Sequence, residues 1–130
     1  MKVLALDYGR ARTGVAVSDP TGTVARPLTV VERAATGRGL DRIAGLVAEE
    51  HAELVVVGLP LTLRGASGAQ AEETRGFVRD LAARVHVPVD VFDERFTTRL
   101  AEQSDGAAPE DARAAAHLLA SYLSWSSGRR

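Results

Sequence analysis

Three carboxylates sit where carboxylates are costly to place without a reason. Asp7 ends the apolar run KVLALD. Glu94 follows a second apolar run, in FDERFTTR. Asp111 lies two residues after Pro109, at the start of a helical pattern. A carboxylate at the end of a central strand must be paired if it is to be desolvated, by an arginine or by a metal ion. Carboxylate oxygens suit magnesium or manganese. Two such ions can activate a water, hold a scissile phosphate and stabilise the leaving oxygen. Each acid also has a plainer reading. Asp7 could cap the turn that follows it. Asp93 and Glu94 could pair with Arg95 and Arg99 on the surface. Asp111 could be an ordinary first-turn acid behind a helix-starting proline. Its spacing argues for more, because Ala114, Ala115, Leu118 and Tyr122 share its helix face, and that face is expected to lie on a sheet. Glu110 is rotated a quarter turn away. The three histidines match no metal spacing: His117 is six residues beyond Asp111, and His51 and His86 fall near helix ends.

Groups that could grip phosphate lie beside two of the acids. Arg10, Arg12 and Thr13 follow Asp7. Arg95, Thr97, Thr98 and Arg99 surround Glu94, and Thr97 and Thr98 at a helix start could donate to a phosphate. Arg64 sits in a loop bracketed by Gly58, Gly65 and Gly68. Such contacts position a nucleic-acid backbone without choosing its sequence.

The elements that must position these groups are legible in the periodicity. Lys2–Asp7, Thr13–Ser18 and Pro27–Val31 read as three strands on short connections, an antiparallel meander turned at Asp19-Pro20-Thr21-Gly22. Leu40, Ile43, Leu46 and Val47 then repeat at helical spacing. Glu53–Gly58 reads as a strand buried on both faces. A helix follows over Ala69–Arg84, then a strand over Val87–Phe92, a short helix over Thr98–Gln103 and a last helix from Pro109 to about Trp125. Three antiparallel strands followed by two that return through helices predict an α/β fold, a mixed five-stranded sheet flanked by helices on both faces. The order matches the ribonuclease-H-like arrangement, and other mixed sheets share it, so the residues must decide.

The whole chain sets the bounds. Its 130 residues suit one domain, expected over residues 1–126 with a frayed tail at 127–130. There is no apolar run long enough to span a membrane and no signal-peptide pattern. The absence of cysteine excludes disulfides and thiolate chemistry, and fits a reducing cytoplasm. The net charge of −1 means that any grip on phosphate must be local. Lys2 is the one lysine among sixteen Lys and Arg, and the arginines run along the whole chain.

Four blocks together resemble the YqgF/RuvX family: LALDYGRARTGVAVSD at 4–19, VVGLPLTLRGASG at 56–68, FDERFTT at 92–98 and DARAAAHLLASYL at 111–123. They occur in order across nearly the whole chain. The resemblance implies a ribonuclease-H-like fold, Asp7, Glu94 and Asp111 as an acidic triad, and magnesium or manganese, two ions, as cofactor. It implies a cytoplasmic nuclease processing the 5′ end of pre-16S ribosomal RNA, or one resolving four-way DNA junctions. The partners expected are therefore structured RNA or branched DNA, with the chain acting as a monomer or a homodimer. Three departures stand out against RuvC-type resolvases and longer relatives. Gly58 replaces an acid at the end of the fourth strand. Ala108 stands where a fourth acidic or metal-binding residue is used, with Glu110 and Asp105 nearby. The segment before the last helix, SDGAAPED, is short and acidic where many relatives are basic. An actin-like or sugar-kinase-like ATPase shares such a sheet but needs two domains around its nucleotide. A binding module that kept the fold without the chemistry is the other alternative.

Overall fold

In the computed structural model, residues 1–61, 68–97 and 108–128 are described. Their elements are β1 (Val3–Asp7), β2 (Arg12–Ser18), β3 (Ala25–Glu32), α1 (Gly37–Glu49), β4 (Leu54–Leu59), α2 (Ala69–Ala82), β5 (Val89–Asp93), a 3-10 turn at Glu94–Phe96, and α3 (Glu110–Ser127). The strand order is β3-β2-β1-β4-β5. β1, β2 and β3 pair antiparallel, while β4 and β5 are parallel to β1. This is the expected mixed five-stranded sheet, with β1 at its centre.

The central strands are buried on both faces, and their alternation divides the core in two. Leu4, Leu6, Val15, Val55 and Val57 point to the side covered by α1 and α2, against Leu40, Ile43, Phe77 and Leu81. Val3, Ala5, Ala16, Leu54 and Val56 point to the other side, against Ala115, Leu118, Leu119 and Leu123 of α3. Successive residues of a strand face opposite ways, so every residue of β1 and β4 has a helix above it. Thr36 caps α1, its hydroxyl accepting from the Gly39 N–H at 3.1 Å.

Most boundaries fall within two residues of the sequence reading. β3 is longer than expected at its start, because its pairing with β2 continues through Ala25↔Ser18 past a register shift at Val15/Ala16. α3 continues through Ser127, where the tail was expected to begin. The expected short helix over Thr98–Gln103 lies outside the described residues. Among the described residues, no helix is long and apolar enough to cross a membrane.

Leu119 is fully buried between α3 and the sheet. Leu119→Ala is expected to destabilise the fold by about 2–5 kcal/mol. Urea unfolding measures this, and a loss under about 1 kcal/mol would contradict the packing of α3 described above.

Candidate active site

The C-terminal end of β1 is the convergence point. Asp7 pairs across the ladder with Gly14 of β2. On the other side Leu6 pairs with Val57, which puts Gly58 of β4 next to Asp7. Alternation along β1 sends Asp7 to the same side as Val3 and Ala5, the face that carries α3. A glycine therefore flanks the aspartate on each side, and each makes room for one of the other acids. A Cβ on Gly14 would stand 1.8 Å from the backbone oxygen of Asp111. A Cβ on Gly58 would stand 2.9 Å from Oε2 of Glu94, 3.0 Å from its Cγ and 3.0 Å from Cδ2 of Leu118. Neither space could hold a side chain with its present neighbour. Gly58 leaves this space open, and the Glu94 carboxylate, delivered from the end of the next strand, lies over it.

Local structure explains how Glu94 arrives there. β5 ends at Asp93, and the chain turns at once into the 3-10 turn. Oδ1 of Asp93 accepts from the Arg95 N–H at 2.9 Å and fixes that turn. The Arg95 guanidinium folds back on the same carboxylate, with Nε 2.9 Å from Oδ2. That hydrogen bonding holds the Asp93 carboxyl below its ordinary range. Asp93 takes up Arg95.

Asp111 sits differently from the expectation. The buried face of α3 is Ala112, Ala115, Leu118, Leu119 and Leu123, so Ala114 and Tyr122 border it. What meets the sheet at this point is the Asp111 carbonyl over Gly14, and the carboxylate is 42% exposed. The cause is geometric. α3 begins over the end of the sheet, and helical side chains lean toward the helix N-terminus, which carries this one past the strand ends. Its Oδ2 there meets Nε of Arg12 at 3.0 Å. Among the described residues, no three of His, Asp and Glu stand close enough to hold a metal ion as they are arranged.

The expected phosphate contacts divide. Arg12 lies at the site, on Asp111. Arg10 is on the opposite side of the sheet end, its Nε and Nη2 donating to the two carboxylate oxygens of Glu73 in α2. Thr13 is fully buried, which corrects its assignment to substrate: its hydroxyl donates to the Gly9 carbonyl and accepts from the Gly9 N–H, each at 3.3 Å, and so closes the turn after Asp7. Arg95 is engaged by Asp93. The Thr97 N–H donates to the Glu94 carbonyl at 3.0 Å, and the Thr97 hydroxyl is buried with no partner among the described residues. Arg64 and Thr98 lie outside the described residues. His117 is half-buried on α3, its Nε2 without a partner among the described residues.

Glu73 was absent from the sequence reading. It also accepts from the Tyr8 hydroxyl at 3.0 Å, while the Tyr8 ring stacks on Phe77 with centroids 4.5 Å apart. Hydrogen bonds from Arg10 and then Tyr8 hold its carboxyl low, and burial with the bond to Glu73 pushes the Tyr8 phenol up. The sequence signal was faint, an acid one helical turn before a buried phenylalanine. The signal for Gly14 was plainer: a glycine inside an apolar strand marks a close approach.

The two glycines make separable predictions. Gly14→Ala drives a Cβ into helix backbone and is expected to cost about 3 kcal/mol or more in thermal or urea unfolding. Gly58→Ala meets only side-chain atoms, so it is expected to cost about 1 kcal/mol or less while displacing the Glu94 carboxylate and impairing activity. Equal destabilisation by the two would contradict this geometry.

A family model described as RuvX, Holliday junction resolvase, matches residues 1–125. A relative from Chloroflexus aggregans, provisionally named pre-16S rRNA nuclease, is 48% identical over 101 residues, covering 78% of this chain and 71% of that protein. One with the same name from Anaeromyxobacter sp. is 42% identical over 132 residues, covering 95% and 96%. Among solved structures, RuvC of T. thermophilus in complex with a Holliday junction substrate superposes with a TM-score of 0.69 at 18% identity, covering 98% of this chain and 96% of that one. That likeness shows the ribonuclease-H-like fold. Extent of match and identity agree, and the chain belongs to the RuvX family.

Proposed function

We propose that this chain is a metal-dependent, phosphodiester-cleaving nuclease that processes the 5′ end of pre-16S ribosomal RNA. The observation that carries the chemistry is the placement of Asp7 between Gly14 and Gly58, with Asp111 entering over one glycine and Glu94 over the other. The choice of RNA rests on the relatives, which share the ribosomal-RNA nuclease name.

The donor set fits a hard divalent cation. All three groups offer carboxylate oxygens, and the strand residues flanking Asp7 are glycines that add no side chain of their own. Arg12 on Asp111 stands in for such a cation. Asp7, Glu94 and Asp111 would hold one or two magnesium or manganese ions. When bound, they would supply an activated water and neutralise charge on the scissile phosphate. The chain's own groups do the rest. With a metal on Asp111, the Arg12 guanidinium on β2 would be freed from that carboxylate and could serve the phosphate as a bidentate donor. Hydrolysis of this kind leaves a 5′-phosphate and a 3′-hydroxyl.

The second reading, cleavage of four-way DNA junctions in the cytoplasm, is favoured by the family description. Paired cuts in a junction require two sites and hence a homodimer, whereas trimming RNA requires one chain.

Asp7→Asn removes a charge and little volume. It is expected to keep the fold and to lower cleavage of a labelled ribosomal-RNA precursor at least about 100-fold. The assay also offers a four-way junction, with and without manganese. Metal-dependent cutting of RNA, lost in the variant, supports the proposal, and symmetric junction cuts would transfer it to the resolvase reading. A wild type that binds RNA but cuts neither substrate would make the chain a binding module. A 2′,3′-cyclic phosphate in the products would overturn the mechanism.

A further inference from the structure

Glu73 stands out because its partners are two residues of the turn that follows Asp7, more than sixty positions away in the chain. Its carboxylate takes one edge of the Arg10 guanidinium, Nε and Nη2, and also the Tyr8 hydroxyl. The Arg10 side chain is 85% exposed and that of Glu73 is 32% exposed. Ion pairs this open to water contribute little to stability, since solvent screens the attraction and ordering the side chains opposes it. The consequence of the contact is geometric. An arginine has five N–H donors in a planar fork, and a carboxylate on one edge leaves the other edge free to meet a second anion. Here the occupied edge faces α2 and the rest of the guanidinium faces solvent, three residues along the chain from Asp7. Tyr8, between them, is clamped on both sides: its ring lies on Phe77 and its hydroxyl on Glu73. The turn that begins at Asp7 is therefore tied to α2 at two successive anchor points.

We infer that Glu73 is a positioning residue for the nucleic-acid backbone: it pre-orders Arg10 as a phosphate contact and, through Tyr8, holds the turn that carries Asp7. The inference rests on the nuclease reading above and adds a residue on a separate helix to it. It makes a prediction of unusual sign. By charge alone, an acid at a nucleic-acid surface repels phosphate, and removing it should tighten binding. If Glu73 acts by ordering Arg10, removing it weakens binding instead.

The test is a double-mutant cycle on binding. Wild type, Arg10→Ala, Glu73→Ala and the double variant are titrated into a labelled ribosomal-RNA precursor fragment over a range of salt, with calcium present. Circular dichroism and thermal melts establish that each variant is folded. Glu73→Ala is expected to weaken binding about fivefold, as Arg10→Ala does, with no further loss in the double variant. The slope of log affinity against log salt is expected to fall by about 0.7–0.9 in all three, the loss of one phosphate contact. Glu73→Gln keeps the shape and an accepting oxygen, and is expected between wild type and Glu73→Ala. Binding that is unchanged or tighter in Glu73→Ala, or losses that add in the double variant, would overturn the inference and leave the nuclease reading intact. A folded wild type with no affinity for the RNA would overturn both.

Discussion

Everything at the functional end of this molecule depends on two places where the chain comes too close for a side chain. Gly14 and Gly58 flank Asp7 in the sheet, and over them lie the first turn of α3 and the side chain of Glu94. Close approach of this kind is steric, and it constrains more strictly than any single polar contact. It fixes how far along the sheet α3 begins, and so where Asp111 enters. It also clears the space that a residue on β4 would fill, so that a glutamate from beyond β5 can occupy it. The two-sided core supplies the rigidity this needs, because β1 and β4 have a helix packed on each face.

The electrostatics of the site follow from which acid takes which arginine. Each of three arginines near the strand ends is held by a carboxylate: Arg12 by Asp111, Arg95 by Asp93 and Arg10 by Glu73. The Arg12 and Arg10 pairs are open to solvent, while Asp93 is largely covered. A net charge near zero gives the molecule no general attraction for phosphate. On the proposed function, local guanidinium groups would be the means of recognising a polyanion, with the pairs to acids holding those groups in place.

Much of the fold was legible in the sequence because its signals are local. The alternation and continuous apolar runs of VLALD, TGVAVS and LVVVG gave strands, the spacing of Leu40, Ile43, Leu46 and Val47 gave α1, and element order gave the mixed sheet. The site was legible only in outline. That acids stand at strand and helix ends can be read from periodicity, but how α3 is phased on the sheet cannot. The expectation therefore put the Asp111 side chain on the buried face, where the structure puts its carbonyl. Thr13 was read by its place after Asp7 with Arg10 and Arg12, although its burial in β2 sends its hydroxyl back to Gly9. Glu73 was missed because its partners, Tyr8 and Arg10, lie more than sixty residues away, and its place one helical turn before Phe77 is only a faint signal within α2.

The central claim is that the acids at the end of β1 form a cation site over the glycine floor. Anomalous diffraction from crystals soaked in manganese tests it most directly. The account predicts a manganese peak bound by Asp7 together with Glu94 or Asp111, above Gly14 and Gly58, with Arg12 no longer on Asp111. A saturated crystal with no peak at that position, and with Arg12 still on Asp111, would contradict it.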